Sequence, residues 1–183
     1  PAAYDRATDD VGDLLFLDHL NLGILEQQAA TIFYVVGLGF TRDPFLRVGV
    51  SNMGINIGRS QLHLPTVGRA VRGHIVQAQR LRGTVGYAMP GMGALARRLE
   101  KIAPLLAGTQ FAYKVHADHV EATCPWGNRI RCHESGPEFG NADLAIAYVE
   151  FEVPRGTAAG IARFYRLGML AVAKVEQHGA DAI

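Results

Sequence analysis

Apolar and polar positions along the chain switch between two periods, and the switch recurs. Met92, Leu95, Leu99, Ile102 and Leu106 are spaced by three or four residues, one face of a helix over about Gly91–Leu106, with Arg97, Arg98 and Lys101 off that face. Pro104 falls in the last turn, where a ring without an N–H kinks or ends a helix, and Gly108 follows as a terminator. The same spacing predicts a first helix from about Leu25 to Leu38, with Ala29, Ile32, Phe33 and Val36 inward and Gly37 or Gly39 at its end, and a third from about Thr157 to Arg166. Each helix follows a short strand: His19–Ile24, Thr84–Met89 and Tyr148–Val153. Three more short strands follow each of the first two helices. They are about Leu46–Val50, Gly54–Ile57 and Gln61–Leu64, then Phe111–Val115, His119–Thr123 and Arg129–His133. Asp118 and the run Pro125-Trp126-Gly127-Asn128 mark the last two turns.

His19, Thr84 and Tyr148 open the three segments at nearly equal steps of about 65 residues, the mark of an internal repeat. The repeating unit is βαβββ. It occupies about 14–65 and about 82–134, with Pro65–Arg80 as the joint. These two modules are expected to form one domain over 1–140, and 141–183 to be the start of a third, incomplete module. By the same period its final strand falls beyond Ile183, so the sequence is expected to be part of a longer polymer. The fold class is α+β: paired βαβββ modules forming a cupped mixed β-sheet flanked by helices.

Composition narrows the function classes. The chain has 183 residues, 49% hydrophobic and 19% charged, which suits a packed core and excludes disorder, collagen and coiled coil. A net charge of +1 gives no basic field for nucleic acid, and no apolar run is long enough to span a membrane. The polar stretch Pro1-Ala2-Ala3-Tyr4-Asp5-Arg6 is unlike a secretory signal. Two cysteines, Cys124 and Cys132, exclude a disulfide scaffold and point to reduced core thiols in the cytoplasm.

Several motifs then converge. Phe33-Tyr34 with Leu38-Gly39-Phe40, Phe164-Tyr165-Arg166-Leu167-Gly168-Met169, and Cys124-Pro125-Trp126-Gly127-Asn128-Arg129-Ile130 together resemble the vicinal oxygen chelate superfamily, which includes glyoxalases, bleomycin-resistance proteins and extradiol dioxygenases. The resemblance implies a cup that holds one divalent metal (Fe, Mn, Zn or Ni), with ligands on the first and last strand of each module. Positions are left open for two neighbouring substrate oxygens, whose developing charge the ion stabilises. It also implies a homodimer.

Carried onto this sequence, the ligand positions are His19, His63, Thr84 and Arg131. Side chains alternate along a strand, so Gln61, His63, Arg129 and Arg131 face the cup while Leu62, Leu64, Ile130 and Cys132 face the helices. His19 and His63 are the expected metal ligands. Thr84 is a poor ligand and Arg131 a fixed cation, a departure from the family pattern. Arg131, Arg129, Asn56 and Thr84 are expected to bind substrate, the two arginines by clamping a carboxylate or phosphate. The expected function is a metal-dependent enzyme of the glyoxalase or extradiol-dioxygenase type, acting on a small substrate chelated through vicinal oxygens. The alternative is a metal-free binding protein of the bleomycin-resistance type.

Other chemistry-bearing residues have plainer roles. His116 and His119, spaced i, i+3 with Glu121 following, could bind a metal on a turn, but an exposed hairpin is the plainer reading; His74 and His133 read as solvated and Trp126 as hairpin packing. Glu26 suits a helix N-terminus without a catalytic role, and Gly91-Met92-Gly93 lacks the spacing of a phosphate loop.

Overall fold

The computed structural model describes residues 16–44, 51–67, 70–71, 74–75, 77–140, 142–179 and 181–183. The expected strand Leu46–Val50 and the side chain of His74 lie outside the described residues. The described chain separates into two compact units, Leu17–Phe151 and a second that holds Phe16 and Glu152–Ile183.

The first unit contains both modules. In the first, β1 (His19–Asn21) leads into a helix, α1, that begins at Gln27–Ala30 and continues in wider π-helical turns over Thr31–Gly37. β2 (Thr41–Arg42), β3 (Asn52–Ile57) and β4 (Ser60–Pro65) follow, in the order β1-β4-β3-β2. A small hairpin, β5 (Ala70–Val71) with β6 (His74–Ile75), lies in the joint. In the second module β7 (Gly83–Ala88) leads into α2 (Met92–Ile102), which tightens to a 3-10 turn over Ala103–Leu106 at Pro104. Then come β8 (Ala112–Val115), β9 (His119–Thr123) and β10 (Arg129–His133). β11 (Ala145–Phe151) pairs antiparallel with β7, so the second sheet runs β11-β7-β10-β9-β8.

Both sheets are mixed for the same reason. The helix carries the chain across the module, so first and last strands lie parallel: His19 beside Gln61 and Asn21 beside His63, then Thr84 beside Arg129 and Gly86 beside Arg131. The remaining pairs are antiparallel hairpins. This is the α+β fold of paired βαβββ modules that the sequence predicts.

Pleat alternation divides each sheet into two faces. Leu62, Leu64, Ile130 and Cys132 are buried with Phe33, Tyr34, Leu95, Leu99 and Ile102, while Gln61, His63, Arg129 and Arg131 retain contact with solvent. Burying each large apolar side chain of this core contributes roughly 1.5–3 kcal/mol. The helices lock together through Arg98, whose guanidinium donates to the carbonyls of Gly37 and Leu38 at 3.0 Å each and so places a cation at the end of α1. Gly39 continues beyond that end at φ 82°, a conformation that a side chain disfavours.

Helix α1 departs from the expected spacing at one point. Val36, expected inward, is exposed and Tyr34 is buried. The Leu38 N–H reaches back five residues to the Phe33 carbonyl, and this wider turn rotates the face that 3.6-residue spacing predicts. Glu26 caps the other end, accepting from the N–H groups of Gln28 and Ala29 at 2.6 and 2.8 Å.

In the second unit, α3 (Ala158–Gly168) buries Ala162 and exposes Phe164 and Leu167, and β12 (Gln177–His178) pairs with β13 (Asp181–Ala182). Among the described residues no helix is long and apolar enough to cross a membrane.

A capping contact just after β10 offers a test of how the second module is held. Glu134 accepts from the N–H groups of Gly91 and Met92 at 2.8 and 3.2 Å, and these bonds hold its carboxyl below the usual carboxylate range. Replacing it, Glu134→Ala, is expected to lower stability by about 0.5–1 kcal/mol at neutral pH. Because the folded-state value is depressed, the difference from the parent should be full above the ordinary carboxylate pKa and shrink as pH falls through the lowered value. Chemical denaturation at neutral and acid pH checks both.

Candidate functional site

Two clusters of chemistry-bearing side chains lie on the sheet faces turned away from the helices. The first belongs to β1, β3 and β4. The rings of His19 and His63 stack with centroids 4.6 Å apart and planes 20° from parallel. The register explains the meeting: β1 and β4 are neighbours, and the two residues lie on the same side of the pleat. Asp18 holds His19 Nδ1 through its carboxylate at 2.7 Å, which fixes the proton there and leaves Nε2 as a lone-pair donor.

Gln61 orders the other imidazole. Its amide nitrogen has two hydrogens, and both are used, on Asp43 Oδ2 at 3.0 Å and Asn56 Oδ1 at 2.7 Å. The carbonyl is therefore the end that faces His63 Nε2, at 3.1 Å. Two ligands sharing an ion at about 2.1 Å stand roughly 3.0–3.4 Å apart, so this contact, a hydrogen bond from Nε2–H as it stands, reaches coordination spacing once the proton leaves and the stacked rings turn their in-plane lone pairs toward one point. Two imidazoles and an amide oxygen are a neutral nitrogen and oxygen donor set, suited to a first-row divalent ion.

The second cluster covers β7 to β11. Thr84, Glu121, Thr123, Arg129 and Arg131 line a depression of about 250 Å³. Arg131 is already bracketed: one terminal nitrogen lies 3.2 Å from a Glu150 carboxylate oxygen, and Nε lies 3.5 Å from Glu121 Oε1. Arg129 Nε donates to the Gly83 carbonyl at 3.2 Å. Thr84 is buried beneath them between Arg129 and Glu150. Tyr148 lies across β7 over Gly86 and shares a 2.8 Å hydrogen bond with His133 Nε2. His133 is thus half-buried, not solvated as expected. Burial first, then the neighbouring His119 and Arg131, push its pKa down and favour the neutral ring.

Along β9 and the turn before it, a ladder of imidazoles extends this face. His116 and His119 stack at 4.4 Å with planes 6° apart, and His119 stacks on His133 at 5.6 Å. His116 Nε2 lies 3.3 Å from Glu121 Oε2, and His119 Nε2 lies 3.7 Å from Oε1. His116, His119 and Glu121 each offer a ligand atom, all within 4.8 Å of one another, so this group could bind a metal. Burial raises the Glu121 pKa, but His116 and Arg131 outweigh it and hold the carboxyl below its usual range.

The structure therefore brings together residues that the sequence separates. His19 and His63 meet, Asn56 reaches them through Gln61, and Thr84, Arg129 and Arg131 share one depression. Arg131 is not a vacant clamp, because two carboxylates already balance its charge. Sequence reasoning missed Gln61, although its place on the cup face was evident. It also missed the flanking acids, for which the dipeptide Asp-His at 18–19 and again at 118–119 was the available signal. The spacing His116-x-x-His119-x-Glu121 carried the third group, because β9 alternation puts His119 and Glu121 on one face. Cys124 and Cys132 are free and buried, and burial pushes the Cys132 thiol up to about 12, so both belong to the core.

The fold that carries these clusters is of the glyoxalase type. In structure the chain is similar to a glyoxalase-related enzyme from Fulvimarina pelagi, at TM-score 0.52 and 17% identity, over 76% of this chain and 100% of that one. A lactoylglutathione lyase from Agrobacterium tumefaciens aligns at TM-score 0.42 and 17% identity, over 65% of this chain and 92% of its own. A glyoxalase/bleomycin resistance protein/dioxygenase family enzyme from Burkholderia phytofirmans PsJN aligns at TM-score 0.44 and 15% identity, over 66% and 98%. The first of these supports the shared fold. No protein-family profile matches the chain, and no curated protein matches its sequence.

Gly86 tests the second cluster. A Cβ there would lie 2.3 Å from the Tyr148 ring. Gly86→Ala should displace that ring from His133 and lower stability by about 1–3 kcal/mol. Denaturation gives the loss, and the His133 imidazole NMR signals report the displaced hydroxyl.

Proposed function

We propose that this chain is a divalent-metal-dependent enzyme of the glyoxalase or extradiol-dioxygenase type, acting on a small substrate through two neighbouring oxygens. The observation that carries the reading is the meeting of His19 and His63 beside the Gln61 carbonyl, with Asp18 behind His19. His19 and His63 hold the ion, and Gln61 is the third donor. Fe, Mn, Zn or Ni all suit such a set. When bound, the ion supplies Lewis acidity to the two substrate oxygens.

The protein residues do the positioning. Asp18 keeps the His19 proton on Nδ1, and Asp43 and Asn56 keep the Gln61 carbonyl turned toward His63. Arg129, Arg131 and Thr84 line the depression that receives the remainder of the substrate. With Glu121 and Glu150 beside Arg131, that depression favours a polar group able to exchange hydrogen bonds over a simple anion. The buried free thiols fit a reducing compartment such as the cytoplasm, and the resemblance to this superfamily carries a homodimer with it.

Elemental analysis of the purified protein tests the reading. Bound divalent ion should fall by about one equivalent per chain in both His19→Ala and His63→Ala. Turnover of hemithioacetal or catechol substrates should fall with it, by roughly a hundredfold or more. Unchanged metal content in both variants would overturn the assignment, and ligand binding by metal-free protein would favour the bleomycin-resistance alternative.

A further inference from the structure

We propose that His116, His119 and Glu121 form a separate transition-metal site on the β8–β9 hairpin, of the two-histidine, one-carboxylate class, taking a borderline ion such as Zn²⁺. It does not depend on the His19–His63 reading. The two sites use different residues in different sheets, and among the described residues no other His, Cys, Asp or Glu joins this group.

The hairpin presents the donors from a short stretch of backbone. The His116 N–H donates to the His119 carbonyl at 2.9 Å and closes the turn. His119 and Glu121, two apart on β9, then share a face, and His116 folds over His119 with its ring nearly parallel. The ligand atoms lie within 4.8 Å of one another, and the two stacked rings turn out of parallel to aim their in-plane lone pairs at one ion.

The hydrogen-bond pattern also points to a ligand. Asp118 Oδ1 lies 2.9 Å from His119 Nδ1, the carboxylate–imidazole arrangement that orients a ligating histidine and leaves Nε2 for the ion. That Nε2 is buried and has no hydrogen-bond partner. Its nearest acid, Glu121 Oε1 at 3.7 Å, is beyond hydrogen-bond distance. Buried polar atoms are rarely left so, and an ion between the three residues satisfies it. Arg131 does not block the site. It approaches Oε1 of Glu121, whereas Oε2 faces His116, and Glu150 shares its charge. Arg131 therefore fixes the carboxylate while Oε2 remains available. Two imidazoles and a carboxylate match Zn²⁺ and its neighbours better than Mg²⁺ or Ca²⁺, and three protein donors leave a position for water or a ligand oxygen.

Co²⁺ titration of the full chain tests this, in a His19→Ala, His63→Ala background that removes the other candidate site. The expected result is one equivalent of Co²⁺ bound, with visible d–d absorption and paramagnetic shifts of the His116 and His119 imidazole signals. Glu121→Gln, which preserves shape, should weaken binding at least roughly tenfold, and Asp118→Asn, which alters only a positioning residue, by roughly 10–100-fold. Far-UV circular dichroism establishes that each variant is folded. No Co²⁺ binding in the folded background protein, or binding untouched by Glu121→Gln, would overturn the proposal. Loss of metal only in His19→Ala and His63→Ala would overturn it while leaving the proposed function intact.

Discussion

The parallel pairing of the first and last strand of each module is the constraint on which the rest depends. It sets His63 on the strand next to His19, and Arg129 next to Thr84, from positions more than forty residues apart. Once that register is fixed, the pleat does the sorting. Leu62, Leu64, Ile130 and Cys132 enter the core, and every intervening side chain is delivered to the opposite face. A slip of one residue would exchange the two sets, burying an imidazole and a guanidinium and exposing leucine. The core thus enforces the site: the same apolar burial that stabilises the module specifies which polar residues meet.

The faces so created differ in how their charges are resolved. On the first module, Asp18 and the Gln61 amide arrange two imidazoles. On the second, Arg131 lies between Glu121 and Glu150, and three histidines continue from it toward the hairpin. Opposite charges in contact restrain these side chains only weakly, because all three are more than a third exposed. Tyr148 contributes in another way, since its ring occupies the space that glycine leaves at position 86.

How far the sequence revealed this follows from the range of each interaction. Alternation and helical spacing are local, and they yielded the modules, the inward leucines and the cup-facing His63 and Arg131. The tightening of α2 at Pro104 was likewise legible in one residue. The inward face of α1 was not, because the wider turns that bury Tyr34 and expose Val36 break the 3.6-residue spacing that the pattern assumes. Gln61 was visible as a residue on the right face, but its role depends on Asn56 of β3 and on Asp43, which follows β2. Arg131 illustrates the same limit. Its place on β10 followed from the pattern, whereas its neutralisation by Glu150 depends on β11 pairing beside β7. The hairpin histidines were read as exposed because nothing local announces that rings at 116, 119 and 133 stack.

In the proposed function His19, His63 and Gln61 share one divalent ion. Anomalous diffraction from crystals of the full chain grown with Co²⁺ tests it most directly. The expected result is a peak at the cobalt edge within bonding distance of His19 Nε2, His63 Nε2 and the Gln61 carbonyl. Density showing His63 Nε2 hydrogen-bonded to Gln61, with no anomalous peak between the two imidazoles, would contradict it.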